Sequence, residues 1–196
     1  MKKNFTILLV TLVMIAFVSC ERDDNIIVPD DVINGVTING VRWATRNVGP
    51  SGTFAHAPES MGNRFQWNRG DTDWTQGWYG MHAAEWEKEN DPCPQGWRVP
   101  TITELQSLEN AGSQWVNVNG VYGRLFGTAP NQLFLPAAGR RFHSSGARDN
   151  VGTVGFYWSS TTYSATSGWH LRFSSNTSNL FSYALRNGLS VRCVSE

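Results

Sequence analysis

Residues Asp91–Leu108, DPCPQGWRVPTITELQSL, carry a β-prone Trp97-Arg98-Val99, loop signals at Pro92, Pro94 and Gly96, and a marked helix start. Thr101 reads as the N-cap. Glu104, three residues on, completes a capping box: the threonine hydroxyl accepts one orphan helix N–H, and the glutamate reaches back to the N–H of the cap. Ile102, Leu105 and Leu108 recur at helical spacing and give the helix one apolar face. Ala111-Gly112 supplies a stop. A strand, a tight turn and an amphipathic helix in succession seed an α+β domain.

Upstream, the chain opens on a targeting segment. Lys2 and Lys3 precede the apolar run Phe5–Val18, which has the length of a signal-peptide core and is too short for a comfortable membrane span. Phe17-Val18-Ser19-Cys20 resembles a bacterial lipobox, in which cleavage before the cysteine exposes it for lipid attachment; the alternative is ordinary secretion. Residues 1–19 are thus read as a lipoprotein signal peptide. Residues 20–34, acidic at Glu21-Arg22-Asp23-Asp24 and lacking periodicity, form a tether after lipidated Cys20. The acidic stretch resembles the export signal of surface lipoproteins in Bacteroidetes, which implies a lipid-anchored protein of the outer membrane, exposed at the cell surface.

Charge agrees with that address. The 196-residue chain is formally neutral, and removing Lys2 and Lys3 takes its 16 basic residues to 14 against 16 acidic ones. No basic excess points to nucleic acid or to anionic lipid, so membrane contact is expected only through the lipid anchor. Of the three cysteines, Cys20 takes the lipid. In an oxidising compartment Cys93 and Cys193 most simply pair, the alternative being two buried free thiols. Neither has a second cysteine or histidine at zinc-ligand spacing.

The folded domain is expected over residues 35–196, with no internal repeat. Asn39-Gly40, between Val36-Thr37-Ile38 and Val41-Arg42-Trp43, predicts a hairpin, and Asn119-Gly120 predicts another turn. Leu133–Leu135, Phe156–Thr162, Gly168–Phe173, Phe181–Leu185 and Leu189–Val194 read as strands. A second helix is expected within Asn110–Trp115 or near Val121–Phe126. The sum is an α+β domain of short antiparallel strands, one or two helices and long ordered loops.

Two segments are candidates for binding. Arg64–Trp86 interleaves Trp67, Trp74, Trp78 and Tyr79 with asparagine and aspartate. Such rings either fill a core or face outward as a platform for sugar rings. Gly139–Gly152, with Arg140, Arg141, His143 and Arg148, is a polar loop that either binds an anionic group or is simply solvated.

Taken together, Val41–Gly49 (VRWATRNVG), Phe65-Gln66-Trp67, Asp91–Thr101, Leu135–Arg140 (LPAAGR), Tyr157–Thr161 (YWSST) and Ser190–Val194 (SVRCV) resemble the Fibrobacter succinogenes major paralogous domain family. The resemblance runs in order through nearly all of residues 35–196. It implies a C-type lectin-like fold, in which the chain ends lie side by side and a disulfide joins the first-helix region to the last strand, as Cys93 and Cys193 would. Fold does not carry function. The sugar-reading Glu-Pro-Asn or Gln-Pro-Asp triplet and the Trp-Asn-Asp strand of calcium-dependent lectins are missing from this sequence, so no calcium or other cofactor is implied. Formylglycine-generating enzymes share the fold and a helix start like Arg98-Val99-Pro100-Thr101, but need a reactive cysteine pair. His56, His82, His143 and His170 show no ligand spacing, and no nucleophile elbow or phosphate loop occurs. The expectation is a non-enzymatic recognition module for a glycan or an extracellular protein ligand. The candidate ligand-binding residues are Trp67, Trp74, Trp78, Tyr79, Arg140, Arg141 and His143.

Overall fold

In the computed structural model, which describes residues 35–72 and 85–196, helix α1 spans Ile102–Asn110 and begins with the expected capping box. Glu104 N donates to Thr101 Oγ1 (3.3 Å), and Thr101 N donates to Glu104 Oε2 (2.7 Å). The same carboxylate accepts both arms of the Arg98 guanidinium, at 2.8 and 2.6 Å. This bidentate pair ties α1 to strand β3 (Trp97–Arg98). Leu105 and Leu108 are buried, whereas Ile102 at the first turn stays partly exposed.

Apart from a 3-10 helix at Lys88–Asn90, the regular structure among the described residues is strand, and the strands pair antiparallel. Strands β1 (Gly35–Ile38) and β2 (Val41–Ala44) form the predicted hairpin. Asn39 (φ 49°) and Gly40 (φ 81°) occupy the left-handed region that a two-residue hairpin turn requires. Asn119 and Gly120 do the same between β4 (Ser113–Val118) and β5 (Val121–Thr128), which pair with β6 (Asn131–Pro136) in a three-stranded sheet. The second helix expected near these residues is therefore replaced by β4 and β5. The Asn-Gly turn sets Val118 opposite Val121, and the β-branched Val116, Val118 and Val121 suit a pleated surface.

Downstream, β7 (Arg140–Arg141) pairs with β8 (Arg148–Asp149). Strands β9 (Gly155–Ser164), β10 (Ser167–Phe173) and β11 (Ser178–Ala184) form a sheet with β10 in the centre. The last expected strand, Leu189–Val194, is mostly not one. Leu189 and Ser190 make single bridges to Phe65 and Tyr157, and only β12 (Val194–Ser195) joins a ladder, lying between β2 and β3. Residues 187–194 are all buried, so the segment threads the interior, where its partners change every residue or two.

Alternation along β9 and β10 divides the core into two clusters. Tyr157, Leu171 and Phe173 pack with Trp43, Leu105, Leu108, Phe126, Leu133 and Leu135 beneath α1. Phe156 and Trp158 face the loops and pack with Phe65, Trp67, Trp86, Trp97 and Leu189. Cys93 and Cys193 are joined by a disulfide, with Cα atoms 6.1 Å apart. It fastens the loop before β3 to the buried C-terminal segment.

Between the clusters lies a buried polar network. Arg192, fully buried, donates to Asn47 Oδ1 (3.0 Å), Ala44 O (3.1 Å) and Phe134 O (3.2 Å). Asn47 Nδ2 donates to the Tyr157 hydroxyl (3.2 Å) and to Met61 O (3.0 Å), and that hydroxyl donates to Pro136 O (2.7 Å). Burial pushes the Arg192 guanidinium down to about 10, opposed by nearby Tyr157, so it stays charged at neutral pH. No carboxylate pairs with it in this network; oriented carbonyls do that work.

Candidate functional site

Arg140 and Arg141 are neighbours in β7, and strand geometry sends their side chains to opposite faces. Arg140 turns inward. It forms an ion pair with Asp149 (3.0 Å), donates to the Tyr183 hydroxyl (2.5 Å) and lies over the rings of Phe142, Phe156 and Tyr183 at 4.4–5.2 Å. These contacts anchor the β7–β8 hairpin to the β9–β11 sheet and occupy the side chain.

Beside Arg140 sits His170, 2% exposed and ringed by Phe156, Trp158, Phe181 and Tyr183. Neither ring nitrogen makes a well-formed hydrogen bond. Burial pushes its pKa down to about 3, the Phe181 backbone opposing and Arg172 and Arg140 reinforcing the shift. The fold thus holds His170 neutral while the unfolded chain takes up a proton near pH 6.5. Stability from this residue is complete above about pH 6.5 and is lost as the pH falls toward 3. Between pH 7 and 4.5 the loss is expected to be about 2–3 kcal/mol. Urea midpoints at the two pH values check this, and His170→Leu, similar in volume and without a titrating ring, is expected to flatten that slope.

Arg141 faces the other way and lines a cleft of about 90 Å³ together with Asn63, Arg64, Thr72 and Arg148. Three guanidinium groups meet there, and no carboxylate is among the described residues lining it. Arg141 is positioned by Nε donating to Gly146 O (2.9 Å). Gly146 has φ 65°, and a Cβ there would come within 3.2 Å of the Arg141 guanidinium, so glycine keeps both the turn and the arginine's place. Arg64, 5% exposed, donates to Gly62 O (3.2 Å) and Ala138 O, but its buried Nε has no acceptor. Burial, followed by the like charge of Arg148, pushes the Arg64 guanidinium down to about 10, with Tyr157 opposing and Arg141 adding to the shift. Arg148 is exposed, on β8 directly opposite Arg141.

A second cleft, of about 270 Å³, lies below Trp86 and is lined by charges of both signs. Four of its five charged residues are already partnered. Asp91 accepts the N–H groups of Cys93 (2.9 Å) and Val99 (3.1 Å), Arg98 grips Glu104, and Lys88 pairs with Glu196. The described lining of the arginine cleft carries charges of one sign only, and this distinguishes the two.

The predicted residues are dispersed by the fold. Arg141 is in the cleft. Arg140 is packed away from it, and exposed His143 bonds Asn187 Oδ1 from its N–H (3.2 Å) rather than lining it. Trp67 corrects the expectation of a sugar platform: it is 1% exposed, and its Nε1 donates to Ser159 O (2.9 Å) inside the core. Trp74, Trp78 and Tyr79, like Cys20, lie outside the described residues. Both flanks of the 73–84 segment are pinned together. Glu87 N donates to Asn68 Oδ1 (2.8 Å), and the Trp67 and Trp86 rings pack at 5.5 Å. Thr72, the last described residue before that segment, lines the arginine cleft. Sequence reasoning missed Arg64 as a site residue because its partners, Arg141 and Arg148, are far along the chain. The one local signal is a charged residue directly before the buried run Phe65–Asn68.

Residues 128–194 match a protein family described as a domain of unknown function (DUF8237). The matched region includes Arg141, Arg148, Arg192 and Cys193, but not Arg64. No curated protein and no solved structure matches the chain.

Proposed function

We propose that this protein is a non-enzymatic recognition module with a C-type lectin-like fold. In this reading it belongs with the Fibrobacter succinogenes major paralogous domains, is held at the outer cell surface by lipid on Cys20, and binds a glycan. The observation that carries the binding role is the open cleft at which Arg64, Arg141 and Arg148 converge, with Thr72 in its lining just ahead of Trp74, Trp78 and Tyr79 in the chain. The fold part of the reading is supported by β2 pairing with β12, which sets the start and end of the domain side by side, and by the bridge from the loop before β3 to the C-terminal segment. That bridge also takes up Cys93 and Cys193, the two thiols a formylglycine-type oxidase would need free. In the binding event, indole faces stack on a sugar ring while polar groups of the cleft hold its substituents.

The test is a glycan array probed with the full chain in detergent, followed by tryptophan fluorescence on each hit. Binding that falls at least about tenfold in Trp74→Ala or Trp78→Ala is the expected result, a loss of about 1.4 kcal/mol. A folded, oxidised protein that binds no glycan sinks the lectin role and directs the search to a protein ligand at the cell surface.

A further inference from the structure

Strand β11 is the longest open sheet edge among the described residues. β10 pairs with one side of it, and no described strand pairs with the other. Such an edge presents unpaired N–H and C=O groups that another extended chain complements, and folds normally guard it with charge, proline, a bulge, short length or a cover. Most other edges here are guarded. β1 and β3 have only four and two residues, and β8 carries Arg148 and Asp149. The outer side of β9 is bridged at Gly155, Tyr157 and Thr161, and β6 gives its Phe134 and Pro136 carbonyls to Arg192 and Tyr157. β4, the next longest open edge, packs its aromatic residue, Trp115, against the core. β11 has none of these devices. Its seven residues, SNLFSYA, include no charge and no proline, and they pair with β10 without a register shift. Asn179, Phe181 and Ser182 are exposed, and Phe181, at the centre of the strand, keeps 43% of its surface in solvent.

We propose that β11 is a dimerisation strand. It adds antiparallel to β11 of a second copy of this chain about a twofold axis, and two three-stranded sheets become one continuous sheet. Two observations select a second copy as the occupant. The first is charge. A charged peptide brings its charges against side chains that cannot pair them, whereas neutral β11 meets itself without like-charge repulsion. The second is register, which a twofold interface requires to be self-complementary. Centred on Phe181, the pairing uses all of Ser178–Ala184. It sets Phe181 against the second copy's Phe181, Leu180 against its Ser182, Asn179 against its Tyr183 and Ser178 against its Ala184. The pair of rings at the axis then leaves water. This inference goes beyond the glycan role and stands or falls without it.

The experiment is sedimentation equilibrium of the full chain in density-matched detergent, on the parent and on Phe181→Glu. The variant sets two carboxylates opposite each other at the axis. Within its own chain each is accommodated by Arg172, whose guanidinium lies 5.9 Å from the Phe181 ring. An unchanged thermal midpoint verifies the fold. The expected result is a dimeric parent and a dimer dissociation constant at least about tenfold higher in the variant. Oxidative cross-linking is a second readout that does not depend on that variant. Phe181→Cys is expected to give a disulfide-linked dimer, because directly opposed Cβ atoms lie about 4.5–5.5 Å apart. Tyr163→Cys, at a more exposed position on the opposite edge strand of the same sheet, is expected not to. A parent that stays monomeric overturns the proposal; if a neutral peptide still adds to β11 in that monomer, the edge belongs to a foreign strand. A dimer that Phe181→Glu does not weaken and that Phe181→Cys does not cross-link overturns it as well, and puts the interface elsewhere on the molecule.

Discussion

Arg192→Met is expected to destabilise the protein by about 3–5 kcal/mol, enough to unfold much of a typical domain of this size. The substitution roughly preserves the side chain's length, so the effect does not come from a large cavity. It comes from leaving Asn47 Oδ1, Ala44 O and Phe134 O without a donor in a place water does not reach. Arg192→Lys is expected to recover only part of the loss, since one ammonium cannot reproduce a planar fork spread across three acceptors. Urea midpoints of the variants measure this, and a double-mutant cycle with Asn47→Ala separates the coupling from the burial. A midpoint for Arg192→Met within about 1 kcal/mol of the parent would show that the network contributes little.

The second large effect is expected at the disulfide. Cys93 and Cys193 are 100 residues apart in sequence, and closing a loop of that length restricts the unfolded chain by up to about 4.7 kcal/mol in the chain-entropy model. Replacing both cysteines by serine is expected to cost about 2–5 kcal/mol, read as a fall in thermal midpoint of roughly 5–15 °C. The double variant is the proper comparison, because a single replacement leaves a reactive thiol. The loop is long because the bridge joins the stretch before α1 to a segment almost at the chain's end. Most of the domain is therefore tethered by one bond, and partial unfolding of β12 alone cannot relieve it. An unchanged midpoint in the double-serine protein would mean that β2–β12–β3 pairing and the buried C-terminal segment already hold that end.

These two predictions fall on residues of the sequence motifs, and the structure gives the reason. Asn47 and Ala44 come from VRWATRNVG, Pro136 from LPAAGR, Tyr157 from YWSST, and Arg192 and Cys193 from SVRCV; one network and one bridge tie them together. The motif residues thus specify how distant segments meet inside the domain. They do not form the cleft, whose three arginines, Arg64, Arg141 and Arg148, all lie outside these motifs. A reading that moves from motif to binding site therefore goes astray at Trp67, which belongs to the core.

Local interactions made much of the architecture legible in advance. The capping box over Thr101 and Glu104 is a contact between residues three apart, and the Asn-Gly turns need only two adjacent residues that tolerate positive φ. The helix start, the β1–β2 hairpin and the strands β6, β9 and β10 followed from such short-range rules. The helix expected within Asn110–Trp115 or near Val121–Phe126, where the structure has strands, is a misreading of a different origin. Apolar spacing in a short segment fits either period, and pairing with β4 and β6 settled it in favour of strand.

By itself, the sequence determined the α+β class, the capped helix, the hairpin turns and the set of residues available for charge and stacking, because each depends on neighbours a few positions away. Tertiary structure alone decided which face each side chain took. It sent Arg140 into an aromatic stack and Arg141 into the cleft, brought Arg64 to Arg148 across the fold, and buried Trp67 instead of exposing it. Those outcomes depend on contacts between segments distant in the chain, where burial and charge are set by the company each residue keeps and not by its place in the sequence.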